Sequence, residues 1–587
     1  MADSSGAPDT TPTRPIEPAP MVGWYDPSQL AQTATKVVVS TIFGRHADKR
    51  LIEALDVGGQ TLYDYTANDD GTLRGAIWID YVADAGDGWD STYTVAYWIA
   101  QARLKLRAPD NSEVETERGQ LLVFGGDEVY PTAGRNDYER RLVRPYATAL
   151  GWTDPPHPHV FAIAGNHDWY DSLVSFTRLF CSKRWFGGWQ TRQARSYFAL
   201  KLPHGWWLLG TDVQLDSDID GPQVQYFEWV AKQMAEGDRV ILCNAEPHWI
   251  YAGIYGIRDS DYNENNLAFL EEKVLKRRVN VFLAGDLHHY RRHEAEDGTQ
   301  KITAGGGGAF LHPTHGPNVS QLPETDEKGQ TKRVFTCRTR FPDRKTSRGL
   351  AWRNLFFTWL NPWFGAIPAI LYLVTAWIVM ADIGRLGLSQ FWTALVITLR
   401  AVSNSPAGVF WTLAIFGGFL LFTDTHSLAY RRIAGPLHGF AHLAAVFFVG
   451  WGASYLAVTI LSLPFRSLRQ LAVSALVILV GGYLVGSIIM GIYLLISLNV
   501  FGRHMNEAFS ALHIPDWKSF LRLRIDANGR FTIFPVGVRR VPRKWITSSS
   551  NLGSRIVPDD PAASAPVLIE APFVVTGPLR TRSRRRE

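Results

Sequence analysis

QLLVFGGDEVY (120–130) and HVFAIAGNHD (159–168) have one shape in common: a short apolar run, a glycine, then side chains that can bind or ionise. Runs of this length suit strands buried on both faces, and the glycine ends them. The shape recurs, with or without the glycine, in IWIDYVAD (77–84), WWLLGTD (206–212), RVILCNAE (239–246) and VNVFLAGD (279–286). Between these runs, YTVAYWIAQARLKL (93–106) and NNLAFLEEKVLKRR (265–278) carry helical patterning. Strands alternating with helices predict an α/β domain. SYFALKLPHGWWLLGTD (196–212) reads as a hairpin, so the sheet is expected to be mixed.

In such a sheet, ligands gather at the carboxyl ends of the strands. Those ends carry Asp84, then Asp127 with Tyr130, then Asn166, His167 and Asp168, then Glu246 and His248, then Asp286 and His288. Several of the gaps are near 40 residues, one strand–helix–strand step, which puts the set along one edge. Oxygen and imidazole donors suit manganese, iron or zinc. Two such ions about 3.5–4 Å apart can share a water and stabilise in-line attack on phosphorus.

The blocks resemble the calcineurin-like metallophosphoesterases, and among them the purple acid phosphatase pattern. They read Asp84-Ala85-Gly86, Gly126-Asp127-Glu128-Val129-Tyr130, Gly165-Asn166-His167-Asp168 and Gly285-Asp286-Leu287-His288, in family order, over roughly 75–320. The resemblance implies an α/β/β/α-type mixed-sheet sandwich holding two divalent or trivalent ions. It places Asp84, Tyr130 and His288 on the first ion, Asp127 between the two and Asn166 on the second. It makes His167 the proton donor to the leaving group, oriented by Asp168. Two positions depart from the family: Asp286 stands where a histidine is usual, and Ala245 stands where a histidine is usual two residues before a proline. Glu246 or His248 is left to supply that donor. His312 and His315, in FLHPTH (310–315), are candidates to face the substrate phosphate, with a structural role as the alternative. Asp87 reads as a loop residue and Asp80 as paired within the fold. Gly305–Gly308 is followed by no Lys-Ser/Thr, which excludes a nucleotide-binding P-loop.

The chain has 587 residues, a net charge of +5 and 46% hydrophobic residues, unevenly spread. Four nearly uncharged segments, near 363–381, 407–423, 437–461 and 471–499, are expected to cross a membrane. A shorter one, 386–399, reads as interfacial or re-entrant. Lys/Arg-rich flanks on both sides predict a cytoplasmic catalytic domain and an even number of spans. The three cysteines offer no disulfide framework, and no basic stripe interleaved with aromatics points to nucleic acid. The expected division is a disordered 1–35, a phosphoesterase domain 36–320, a basic linker 321–354, transmembrane helices 355–500, a small cytosolic β element 501–547 and a disordered basic tail 548–587.

The expected function is that of a multi-pass, membrane-anchored phosphohydrolase of a bacterial-type inner membrane. It would cleave a phosphorylated small molecule or lipid with a metal-activated hydroxide, in contact with membrane lipids; the oligomeric state is not legible. The alternative is a sensor or scaffold on an inactive phosphoesterase fold, which Ala245 and Asp286 favour. A transporter would place ionisable residues within the spans, where only His438 and His442 stand.

Overall fold

The computed structural model describes residues 18–33, 35, 61–68, 70–152, 156–213, 219–255, 267–276, 279–316, 318–325, 330–380, 388, 390–423, 427–547 and 556–576. The apolar runs are strands. Ile77–Val82, Leu121–Gly125 and His159–Ile163 lie parallel at the centre of one nine-stranded sheet. Trp206–Gly210, Arg239–Cys243 and Val279–Ala284, also mutually parallel, centre a second. Phe198–Leu202 pairs antiparallel with Trp206–Gly210 in the expected hairpin.

Side chains alternate across each strand, and that period of two builds the layers. Ile77, Ile79, Tyr81, Val123 and Phe161 meet Leu200, Leu208, Ile241 and Val281 between the sheets. On the opposite face of the first sheet, Trp78, Val82, Leu122 and Phe124 pack under the helix Trp89–Ala100. On the opposite face of the second, Trp207, Leu209 and Val240 pack under Gly221–Gln233. The result is the helix–sheet–sheet–helix sandwich expected.

Several boundaries differ from the sequence reading. The helix expected over 93–106 ends at Ala100, and Arg103–Arg107 is a strand paired with Glu113–Glu117. Only Leu104 and Leu106 of that strand are buried, an alternation that favours a strand over a helix. Of 265–278, residues 267–274 are helical, while 265–266 and 277–278 lie outside the described residues.

The expected linker is structure. Thr331–Phe341 pairs with both Gln321–Thr325 and Tyr290–Glu294 at the edge of the second sheet. Two of its basic residues have acidic partners at short range: Arg333 sits 2.6 Å from Glu324 and 2.7 Å from Glu271, and Arg338 sits 2.8 Å from Glu294.

The C-terminal β element is also part of the sandwich. Lys518–Ile525 and Phe531–Val538 form the expected hairpin. Lys518–Ile525 also pairs with Ile77–Val82, with Leu523 opposite Ile79, so the hairpin completes the first sheet instead of forming a separate unit. Leu521, Leu523 and Ile525 supply the reason, because they fill the space between the sheets. Val567–Leu568 and Phe573–Val575 extend that sheet from within the expected tail. At the other end of the chain, residues 18–33 pack on the domain through buried Ala19, Val22 and Tyr25. The disorder expected for 1–17, 548–555 and 577–587 falls outside the described residues.

Among the described residues, two helices are long and apolar enough to cross a membrane: the 33-residue Leu428–Ile460 and the 34-residue Leu468–Phe501. Two bent pairs raise the number to four if each counts as one span. They are Arg344–Leu360 with Pro362–Ile378, bent by 60°, and Phe391–Asn404 with Pro406–Phe422, bent by 95°. The helix Pro406–Phe422 has 17 residues, about 26 Å at 1.5 Å each, slightly less than a hydrocarbon core. Trp363, Trp377 and Trp392 project from these helices with 69%, 78% and 74% of their surface exposed, which suits contact with lipid.

Candidate metal centre

Asp84, Asp127, Asn166 and Asp286 follow Ile77–Val82, Leu121–Gly125, His159–Ile163 and Val279–Ala284. Asp84, Asp127 and Asp286 have left-handed backbones, with φ of 58°, 52° and 63°. Aspartate tolerates this better than most residues, yet each such residue costs on the order of 1 kcal/mol. Paired loops hold the conformation. The amides of Asp84, Ala85 and Gly86 donate to the carbonyls of Gly126, Asp127 and Glu128 at 3.0, 3.1 and 2.8 Å. Two glycines leave room for the carboxylates: a Cβ on Gly165 would lie 2.1 Å from Asp127 Oδ1, and one on Gly305 would lie 1.9 Å from Asp84 Oδ2.

The Tyr130 hydroxyl is the meeting point. It lies 3.0 Å from Asp84 Oδ1, 3.2 Å from Asp127 Oδ2 and 2.9 Å from His288 Nε2. His288 is oriented by its Nδ1, 2.7 Å from the Phe310 carbonyl, which turns Nε2 inward. The Asp286 amide donates to Asp84 Oδ1 at 3.0 Å, and the His167 amide donates to Asp127 Oδ1 at 2.9 Å. Asn166, next to His167, has a buried side-chain oxygen with no hydrogen-bond partner, as does Asp84 Oδ2. Burial, and then the charges of Asp127 and Asp286, push the Asp84 carboxyl well up. Burial, and then Asp168 and Asp286, do the same to Asp127.

A cluster of buried acids needs compensating positive charge. The buried Lys518, whose ammonium donates to the Ala309 carbonyl, lies within reach of Asp84 and Asp87; burial lowers its pKa to about 8. Among the described residues, no three His, Cys, Asp or Glu side chains form a metal-holding group by themselves. The centre also uses a phenol and a carboxamide. With Tyr130 and Asn166 included, the oxygen and imidazole donors, two buried oxygens without partners and the excess of acid fit hard or borderline metal ions.

His167 is half-buried, with its ring against Trp24 at 5.9 Å, Tyr130 at 4.4 Å and Tyr170 at 5.2 Å. Burial lowers its pKa to about 4. The Pro131 carbonyl, 2.7 Å from Nδ1, orients it. Asp168, expected in that role, instead accepts from the amides of Gly165 and Glu128 at 2.9 and 3.3 Å and from the Tyr138 hydroxyl at 2.5 Å. Its place at the third position of a short helix turns the carboxylate back onto the loop that leads to Asn166.

Glu246 and His248 stand 3.7 Å apart. Burial, followed by the charges of Asp127, Asp286 and Glu246, raises the Tyr170 phenol to about 12, so all three acids lie near that ring. His248 is buried, and burial alone lowers its pKa, to about 3. Ala245 lies against Gly126, so a methyl group fills that part of the cradle. The Tyr251 hydroxyl holds Asp286 through Oδ2.

His312 stacks on His288 at 3.9 Å, and its Nε2 is 3.2 Å from Asn506. His315 does not face the site: its ring nitrogens bond Ser347 at 2.7 Å and Asn499 at 2.8 Å, tying the loop to the last long helix. Its expected contact with substrate is therefore replaced by the structural alternative. Trp24, Tyr251 and Lys518 were not anticipated, and no local pattern in the sequence marks them.

Residues 77–290 match the family model of the calcineurin-like phosphoesterases, and this part of the chain is a domain of that family. No curated protein sequence matches the chain. Three of the solved structures similar to it each have 12% identity. GAP50, the anchor in the inner membrane complex of Plasmodium, has a TM-score of 0.31, with 46% of this chain and 92% of that one covered. Purple acid phosphatase PPD1 from yellow lupin (Lupinus luteus) seeds also has a TM-score of 0.31, with 46% and 51% covered. PhoD has a TM-score of 0.26, with 40% and 58% covered. The chain thus spans little more than half the length of the last two.

Proposed function

We propose that the chain is a membrane-anchored phosphohydrolase. The observation that carries this reading is the convergence of Asp84, Asp127 and His288 on the Tyr130 hydroxyl. Asp84, Asp127, Tyr130 and His288 would hold one ion, and Asp127, Asn166, Asp286 and Glu246 the other. When bound, the ions neutralise charge on the phosphate and favour ionisation of water. As water oxygen bonds to phosphorus and the ester P–O bond breaks, His167 passes a proton from Nε2 to the departing oxygen, while Nδ1 stays on the Pro131 carbonyl. Burial disfavours that proton in the free site, so the negative charge of bound phosphate is what holds it at Nε2.

The substrate class we favour is a phosphate ester presented at the membrane surface, with the catalytic domain on the cytoplasmic side. The Lys/Arg-rich flanks of the membrane segment support that orientation. The test is hydrolysis of aryl phosphomonoesters and diesters by the full chain in detergent with manganese, iron or zinc. Activity is expected in the wild type and a loss of at least 100-fold in Asp127→Asn and His167→Ala. Unchanged rates in both variants overturn the assignment.

A second reading, a scaffold on an inactive fold, draws on Ala245, which offers no donor where its side chain meets Gly126. Metal analysis separates the two: about two ions per chain supports the hydrolase, and none supports the scaffold.

A further inference from the structure

The long apolar helices form a cavity of about 370 Å³, open on one side, that the proposed chemistry leaves unused. Phe364, Trp411, Gly418, Phe422, His442 and Met490 are among its walls. Its lining is apolar except at a few points. Tyr372, whose hydroxyl is 2.9 Å from His442 Nδ1, is one; Thr375, which accepts from the Trp411 indole at 2.9 Å, is another.

The cavity is joined to the candidate metal centre by packed side chains. Phe364, Phe422 and Met490 belong to the same apolar cluster as Trp24, Tyr25 and Phe310. The Phe310 ring lies 4.8 Å from His288 and the Trp24 ring 5.9 Å from His167. Tyr25, next along the chain, meets Phe364 at 5.6 Å and Phe357 at 5.0 Å. Phe357 follows a stretch that carries exposed Arg353, Trp352 and Phe356, with exposed Trp359 just beyond, the composition of a membrane interface. The candidate metal centre therefore lies a few side chains from this apolar space, beside a stretch with the composition of an interface.

We propose that this cavity seats the hydrocarbon chain of a lipid-linked phosphate ester, whose phosphate is thereby presented to Asp127, Asn166 and His167. The inference rests on the phosphohydrolase reading and specifies its substrate as an amphiphile. Gly418 offers a clean way to close the space. A Cβ there meets no atom within 4 Å, so a larger side chain at this wall of the cavity takes up open space without striking a neighbouring helix. Gly417 is equally open but does not line the cavity, and serves as control.

The experiment measures binding of decylphosphonate, ethylphosphonate and decanol to the full chain in detergent with manganese, alongside hydrolysis of p-nitrophenyl phosphate. Decylphosphonate is expected to bind at least ~10-fold more tightly than ethylphosphonate, because each buried methylene adds affinity. Gly418→Leu, and independently Ala414→Leu at another wall residue, should erase that preference; Gly417→Leu should keep it. All three variants should hydrolyse p-nitrophenyl phosphate as the wild type does. The proposal is overturned if Gly418→Leu and Ala414→Leu keep the chain preference, if ethylphosphonate and decylphosphonate bind alike, or if decanol displaces decylphosphonate at equal concentration. Chain-dependent binding in a protein that hydrolyses nothing would overturn the phosphohydrolase reading while leaving the cavity as a site for phosphorylated amphiphiles.

Discussion

Arg522 lies 3.0 Å from Asp80, with the two side chains 0% and 1% exposed, so a residue that follows the long apolar helices neutralises one in the strand Ile77–Val82. The guanidinium also donates to the carbonyls of Ile99 and Gln101, at 2.9 and 3.2 Å. Removing only one partner leaves a buried charge without compensation. Arg522→Ala is expected to cost about 3–5 kcal/mol, read as a lower thermal midpoint in detergent, and Asp80→Leu added to Arg522→Leu should recover part of the loss. A single variant as stable as the wild type contradicts the pairing.

A soluble fragment ending at residue 345 should not fold. Such a fragment lacks Lys518–Ile525 and Phe531–Val538, and with them the whole of one side of the first sheet. Ile77–Val82 would then become an open edge with apolar faces, which favours aggregation. Size-exclusion chromatography and a thermal melt decide it; a monomeric fragment with a cooperative transition refutes the expectation.

Ala245→His restores the donor the family pattern carries. Since Ala245 abuts Gly126, next to Asp127, the imidazole enters the second-ion side of the centre. The variant should bind manganese or zinc more tightly, by about 10-fold or more on the scale at which ligand-shell changes alter affinity. Titration calorimetry on metal-stripped protein measures it, and weaker binding than wild type would count against the placement of that ion.

Glu324 gives a pH signature in the region that reads as a linker. Burial by itself would raise its carboxyl, but Lys301 at 2.9 Å and Arg333 at 2.6 Å outweigh it and bring the pKa to about 2. The folded value lies below the unfolded one of about 4.3, so the stabilisation is present above pH ~4.3 and is lost as pH falls towards 2. Its upper size is on the order of 3 kcal/mol. Wild type should therefore exceed Glu324→Gln in stability at neutral pH, with the gap closing between about pH 4.3 and 2 in denaturant titrations.

What was legible in the sequence was local. Each central strand announces itself by an apolar run ending in a polar residue, and Asp84, Asp127, Asn166 and His288 sit at those ends because the sheet puts them there. Thr331–Phe341 escaped because an edge strand with most side chains facing solvent or ion pairs has no apolar alternation to read. Lys518–Ile525 was recognised as a strand, but its partner is more than 400 residues away, and no local pattern records which edge a strand joins. Asp168 and His315 were misread for a related reason. Motif position fixes where a side chain starts, while the Tyr138 hydroxyl, Ser347 and Asn499, distant in the chain, decide where it ends.

The return of Lys518–Ile525 to Ile77–Val82 bears on how the molecule is made. More than four hundred residues, the long apolar helices among them, separate Ile77–Val82 from the strand that shields it, and a ribosome delivers all of them first. Until then Ile77–Val82 keeps one edge open. The sandwich can therefore close only after the long apolar helices that lie between the two strands have been made.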